Sequence, residues 1–145
     1  MRIVCQRVKE AHVKVDEKIV GAIKQGFLLY VGIHVDDHIE IVKKMAEKIH
    51  HLRIFEDHEG KMNLNLTQAG GDILAISQFT LYGDTKGNNR PSFILAARPE
   101  QAKLLYDALI HELSKHHHVE KGIFGAHMEI HSINDGPVTI IIEMN

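Results

Sequence analysis

The sequence predicts an α+β fold. It reads as one domain over residues 1–145, with curved, mostly antiparallel, barrel-like sheets and two main helices. Three observations carry this. Strand-like segments outnumber helical ones and interleave with them without clean strand–helix–strand repetition. Two segments carry apolar residues at helical spacing. No internal repeat, low-complexity tract or Pro/Gly/Ser linker divides the 145 residues, a length that suits a single domain.

Taken in order, residues 2–8 and 11–15 run apolar or alternate, with β-branched enrichment, and read as two strands. Gly21 and Gly26 bracket a hairpin-like stretch. Residues 27–33 (Phe27-Leu28-Leu29-Tyr30-Val31-Gly32-Ile33) form a buried strand by length and composition. Asp36-Asp37 opens a helix, because acidic groups suit a helix N-terminus. Its apolar face is Ile41, Val42, Met45, Ala46, Ile49 and Leu52. Residues 56–71 read as a polar loop, 73–79 as a second buried strand, and 83–92 as a long loop rich in Gly, Asn and Pro. A second helix starts near Pro99, a residue suited to the first helical turn. Ala102, Leu105, Tyr106, Leu109 and Leu113 face inward from it. Gly122 and Gly125 punctuate a turn. Residues 128–133 and 138–142 then read as strands joined by the turn Asn134-Asp135-Gly136-Pro137.

Composition excludes more than it assigns. Apolar residues make up 44% and charged ones 25%, unlike a disordered tail, a collagen-like fibre or a disulfide scaffold. No apolar run is long enough to span a membrane. The start, Met1 to Arg7, reaches charge too soon for a secretory signal, so a cytosolic protein is expected. One cysteine, Cys5, cannot form an internal disulfide, and the Asn65-Leu66-Thr67 glycosylation match is moot. With 17 Lys plus Arg against 19 Asp plus Glu, the formal charge is −2. Residues 1–55 hold 10 basic and 7 acidic groups, and residues 56–145 hold 7 and 12. A nucleic-acid partner would therefore be held by a small patch, and weakly.

The familiar catalytic signatures are missing: no G-x-S-x-G elbow, Walker A loop, G-x-G-x-x-G or H-E-x-x-H. The histidines (12 in all) draw attention, with His50-His51 ending one helix and His116-His117-His118 following the other. Adjacent histidines on a helix point apart and make poor shared metal ligands, so they read as solvated surface residues. His127 reads as an exposed residue of an alternating strand. Cys5 reads as core, although Arg7 falls on the same strand face.

Two segments remain. Ser77-Gln78-Phe79-Thr80-Leu81 ends a buried strand with a hydroxyl, an amide, an aromatic and a second hydroxyl. That set could line a pocket, or simply be a strand running out into polar residues. Asn134-Asp135-Gly136-Pro137-Val138-Thr139 could be a plain hairpin turn. Gly-Pro can also hold a cis peptide, which would turn the carbonyls of Gly136 and Pro137 parallel as rigid acceptors.

Together these two segments resemble the signature motifs of the D-aminoacyl-tRNA deacylases. The resemblance covers nearly the whole chain. Gln6-Arg7-Val8, Leu52-Arg53-Ile54-Phe55-Glu56-Asp57, Gly60-Lys61-Met62-Asn63-Leu64, Tyr82-Gly83-Asp84-Thr85, Gly87 followed by Arg90-Pro91-Ser92-Phe93, and Gly122-Ile123-Phe124-Gly125-Ala126 are similar as well, in order. Departures are His127, where an acidic residue is common, Ile76, where valine is frequent, and the histidine-rich stretches.

The resemblance implies a cytosolic homodimer that hydrolyses the ester between a D-amino acid, or mischarged glycine, and the 3′ end of tRNA. It implies no metal, no cofactor and no membrane partner. It implies a cis Gly136–Pro137 peptide reaching into the other subunit's pocket. Catalysis is expected at Thr80 and Phe79, and substrate binding at Ser77, Gln78, Gly136, Pro137, Asn134 and Thr139. Thr80 could be a nucleophile. The favoured alternative has the Phe79 and Thr80 amides as an oxyanion hole, with a ribose hydroxyl of the terminal adenosine activating water. Phe79 would stack on adenine. Lys86, Arg90 and the Lys43-Lys44 pair are candidate tRNA contacts. A non-catalytic RNA- or nucleotide-binding module and a histidine-dependent metallohydrolase are the competing readings.

Overall fold

The computed structural model describes Met1–Asn145. Its chain order is β1 (Arg2–Val15), β2 (Lys18–Ile23), β3 (Gly26–Gly32), α1 (Ile39–His51), β4 (Phe55–Glu56), β5 (Met62–Leu64), α2 (Leu66–Ala69), β6 (Asp72–Ser77), a 3-10 turn (Phe79–Tyr82), α3 (Pro99–Ser114), β7 (Val119–Lys121) and β8 (Glu129–Glu143). The architecture is α+β, as expected. No helix is long and apolar enough to cross a membrane.

The main sheet is mixed and curls into a nearly closed barrel. β1 is one strand where two were expected. Its first half pairs antiparallel with β3, and its second half with β2. Lys9 and Glu10, exposed at its middle, mark the handover between these partners. β3 and β6 pair in parallel, as do β6 and β7. The barrel closes where β2 meets β7. A Cβ on Gly21 would lie 2.7 Å from the Lys121 carbonyl oxygen, so only glycine permits that approach.

Both faces of β3 and β6 are buried, which is why they read as unbroken apolar runs. Leu28, Leu74 and Ile76 point into the barrel with Val8, Ala11, Val13 and Ile23. Phe27, Leu29, Ile73 and Ala75 point outward into the larger core beneath the helices. Ile41, Val42, Met45, Ala46 and Ile49 of α1 complete that core with Ala102, Tyr106, Leu109 and Leu113 of α3. Cys5 is fully buried there, and burial raises its thiol to about 12.

Four smaller expectations also need correction. Asp36 and Asp37 do not cap α1, whose N-cap is His38. Asp37 is buried, accepting from the His34 N–H at 2.7 Å and pairing with the Met1 ammonium at 2.6 Å. Residues 56–71 are not all loop. They hold β4, β5 and α2, the last opened by a reciprocal Asn65–Gln68 capping box. β6 stops at Ser77, so Phe79 belongs to the 3-10 turn. His127 is exposed but precedes β8, which begins at Glu129.

The largest correction concerns residues 134–137. They join no hairpin. β8 runs unbroken from Glu129 to Glu143, antiparallel to β1 along its length. Gln6 faces Thr139 and Val8 faces Asn134, so residues 135–138 stand opposite the single residue Arg7. The Gly-Pro segment is a large bulge in a continuing strand.

Candidate functional site

The turn after β6 is held against β3. The Gln78 N–H donates to the Val31 carbonyl at 2.7 Å, carrying the ladder one residue past the strand. Gly32 lets the turn come close. A Cβ there would lie 3.1 Å from Leu81 Cβ and 3.3 Å from the Gln78 carbonyl oxygen. Ser77, Phe79, Phe93 and Phe124, with Val31 and Ile33, line an apolar cavity of about 440 Å³ beside this turn. Phe79 is 54% exposed and meets Phe93 edge-on, ring centroids 5.1 Å apart. That leaves a Phe79 face free, unlike a core phenylalanine.

Thr80 is exposed, and its Oγ1 accepts from Gln78 Nε2 at 2.5 Å. No histidine, lysine or carboxylate hydrogen-bonds it. An amide donor holds a hydroxyl in place but takes no proton from it. The leading N–H groups of a helical turn have no acceptor within it, which makes those of Phe79 and Thr80 the donors at the turn's start. Nearby Tyr82 is pushed up to about 12 by burial and then by the Asp37 carboxylate, with Arg2 opposing.

The bulge is fixed from below. Asn134 Nδ2 donates to the carbonyls of Arg7 at 3.0 Å and Val138 at 3.1 Å, tying both sides of the loop to β1. Thr139 Oγ1 donates to Asn134 Oδ1 at 3.4 Å and accepts from Gln6 Nε2 at 3.3 Å. Arg7 lies beneath, buried at 5% exposure. Its Nη1 donates to the Ile54 carbonyl at 2.8 Å, and its Nε to the Asp135 carbonyl at 3.3 Å. The Asp135 carboxylate is also 3.3 Å from Nε. The Gly136–Pro137 peptide is cis, and both residues are exposed. Gly136 has φ +119°, and a Cβ there would lie 2.9 Å from Val138 Cγ2 and 3.0 Å from Arg7 Nη2.

Ser77, Gln78, Phe79 and Thr80 are thus brought together, as are Asn134, Gly136, Pro137 and Thr139. Members of the two groups line different depressions of the chain: Ser77 and Phe79 the apolar cavity, Gly136 another. Gly136 and Asp135 border a hollow of about 510 Å³ with Arg7, Phe55 and Glu56, and neither they nor Pro137 line the apolar cavity. Sequence reasoning alone misses the role of Arg7. The available signal is a charged residue in phase with the buried Ile3 and Cys5.

The histidines do more than decorate the surface. The C-terminal ends of α1 and α3 meet, placing His50 Nδ1 3.0 Å from His117 Nε2, with His50 stacked on His116 at 4.3 Å. Burial, then the neighbouring imidazoles, lowers the pKa of both His50 and His117. No three histidine, cysteine or carboxylate side chains converge as a metal ion requires. Lys86 borders a polar hollow with Arg2, His34 and Tyr82. Arg90 is exposed in the 83–92 loop, and Lys43 and Lys44 are exposed on α1.

Comparison with known proteins agrees with this fold. A solved structure of a c-Myc DNA unwinding element binding protein is 38% identical over 100% of this chain and 99% of its own, with a TM-score of 0.95. A second, of a probable eukaryotic D-amino acid tRNA deacylase, matches over 99% of this chain and 98% of its own with a TM-score of 0.85. At 19% identity that second likeness concerns the fold alone. Residues 4–143 match the family model for D-Tyr-tRNA(Tyr) deacylase. The chain therefore belongs to the D-Tyr-tRNA deacylase family, whose members are hydrolases acting on D-aminoacyl-tRNA.

Proposed function

We propose that this protein frees D-amino acids, and mischarged glycine, from tRNA in the cytosol as a homodimer. In this reading each site is built from the Ser77–Thr80 turn of one subunit and the Gly136–Pro137 bulge of its partner. The observation that carries it is the separation of the two motifs. Ser77 and Phe79 line an apolar cavity, while Gly136 borders a different hollow and stands exposed beside Pro137. Ile133 and Ile141, 50% and 66% exposed on the same strand as the bulge, suit a face that a second copy covers.

Handedness is then read by exclusion. The carbonyl oxygens of Gly136 and Pro137 accept from the substrate's α-amino group. With the amine and ester fixed, only the hydrogen and the side chain can exchange places. A D side chain points to solvent, and an L side chain runs into main chain. A clash with an unpaired polar group discriminates more strongly than a pocket sized for one methylene. Glycine offers nothing to exclude and passes. Asn134 and Thr139 brace the bulge, and Ser77 and Gln78 fix the turn or contact the adenosine.

For the chemical step, Thr80 lacks the base a hydroxyl nucleophile requires. The amides of Phe79 and Thr80 instead stabilise the oxyanion formed when water adds to the ester carbonyl. A ribose hydroxyl of the terminal adenosine activates that water. The carbonyl re-forms as the bond to the ribose oxygen breaks, and that oxygen leaves with a proton. Phe79 offers its free face to the adenine. No cofactor takes part.

Turnover of D-tyrosyl-, L-tyrosyl- and glycyl-tRNA tests the specificity; equal rates for D and L would refute it. Single-turnover deacylation should survive Thr80→Ala nearly intact and fall on a 2′-deoxy terminal ribose; the reverse pattern would refute the ribose-assisted reading. Mixing Phe79→Ala with Gly136→Val protein tests the shared site, since a mixed dimer regains one intact site only if turn and bulge come from different subunits.

A further inference from the structure

We propose that the outer face of α1 and the segment after it form the docking surface for the acceptor stem of the tRNA, gripping its phosphates. Lys43, Lys44, Lys48 and Arg53 surround an open hollow of about 580 Å³, whose single carboxylate, Glu47, lies 3.6 Å from the His51 ring beside it. This concentration of positive charge sits on a protein whose formal charge is −2. A solvated helix face usually mixes the two signs, with partners at i,i+3 or i,i+4. Here Lys43 is within reach of Glu40 at 3.3 Å, but Lys44 and Lys48 have no carboxylate partner. They lie one turn apart on the same face, with Cβ atoms about 6 Å apart. Arg53 is pre-set, its Nε donating to the Asn63 carbonyl at 2.8 Å and its Nη2 to the Asn63 side chain.

The position of the patch matters as much as its charge. Arg53 is followed by Ile54, whose carbonyl takes the 2.8 Å bond from Arg7, and Arg7 holds the bulge through Asp135. The patch is thus tied to the Gly136–Pro137 segment through one buried guanidinium. This connection puts the patch and the bulge on one subunit, and we infer that a tRNA whose charged 3′ end meets the bulge lays its acceptor stem over that subunit's α1. The substrate assignment rests on the proposed function; the surface itself rests on the charge and its place. The phosphates gripped are few, so binding is weak and its salt dependence shallow.

Lys44→Gln/Lys48→Gln tests this beside a control of equal charge change, Lys103→Gln/Lys115→Gln, whose lysines pair with Asp107 and Glu112. The α1 variant should raise KM for D-tyrosyl-tRNA about tenfold at unchanged kcat. It should also lower the slope of log affinity against log salt for uncharged tRNA by about two, roughly one for each phosphate left without its lysine. Hydrolysis of D-tyrosyl-adenosine, which has no stem, should not change. Unaltered tRNA affinity and slope, or an equal loss in the control, would overturn the docking surface. If the parent protein hydrolyses neither ester, the proposed activity fails, and the binding of uncharged tRNA still decides the surface by itself.

Discussion

Arg7→Met isolates the support beneath the bulge. Methionine keeps most of the buried stem and removes only the guanidinium. The parent side chain makes a 2.8 Å bond to the Ile54 carbonyl and a longer one, 3.3 Å, to the Asp135 carbonyl. Bonds from a charged donor contribute about 1.5–3 kcal/mol each, the longer one less. The carboxylate of Asp135, 3.3 Å from Nε, loses its cation too. Breaking a largely buried pair from one side costs about 3–5 kcal/mol, and we expect the lower half of that range because Asp135 keeps access to water. Against the roughly 5–15 kcal/mol of a domain this size, the variant should remain folded. Urea denaturation followed by far-UV circular dichroism measures the loss. Deacylation of D-tyrosyl-tRNA, assayed where the variant is still native, should fall by far more than the folded fraction. Arg7→Lys keeps the charge but replaces the rigid planar fork that reaches both carbonyls with a compact ammonium, and should recover stability better than activity. An Arg7→Met protein within about 1 kcal/mol of the parent and fully active would refute the argument that this guanidinium positions the bulge.

Other substitutions separate stability from function. Gly32→Ala puts a Cβ 3.1 Å from Leu81 Cβ. It should cost about 1–3 kcal/mol and reduce deacylation more than stability, because what must yield is the Ser77–Thr80 turn. Tyr106→Phe deletes the 2.8 Å bond from Tyr106 Oη to the Ala75 carbonyl. That carbonyl still accepts from the Gly122 N–H at 3.3 Å, so urea titration should read a loss of only about 1 kcal/mol. His50 and His117 have pKa values lowered by folding. The unfolded chain therefore takes up protons first, and the stability they contribute is present above the ordinary histidine range and lost as pH falls below it. The melting temperature should drop on acidification from pH 7, less steeply in His50→Gln/His117→Gln, and equal slopes would contradict the cluster. The Cys5 thiol, raised to about 12 by burial, should resist iodoacetamide at pH 8 in native protein and react in urea.

Local signals carry much of the fold. Pro99 marks the start of α3, helical spacing marks the core face of α1, and unbroken apolar runs mark β3 and β6. Pairings between distant residues leave weaker traces. Gly-Pro within Asn134–Pro137 announces irregular backbone but does not say whether the chain reverses, and β1, which keeps it running on, lies some 127 residues away in sequence. Lys9-Glu10 resembles a break because a strand changing partners exposes its middle. The Asn65–Gln68 capping box is readable from its spacing, though its helix of four residues gives no periodicity to support it. The residues of the two motifs are legible as types in order; the guanidinium linking one of them to the Ile54 carbonyl is not. Likewise, neither His50 nor His117 reveals alone that two helix ends converge.

If the bulge reads handedness as proposed, its place in mid-strand gives it the stiffness of the sheet around it. A loop at a hairpin tip pivots on one end and wanders with the tip. The Gly136–Pro137 segment rejoins its ladder at Asn134 and again at Thr139, so its oxygens drift only as far as β1 and β8 do together. On the proposed reading, fidelity would depend on the integrity of the longest strand pair and would need no closing lid. Whatever loosens that pair should blur left from right before it stops hydrolysis.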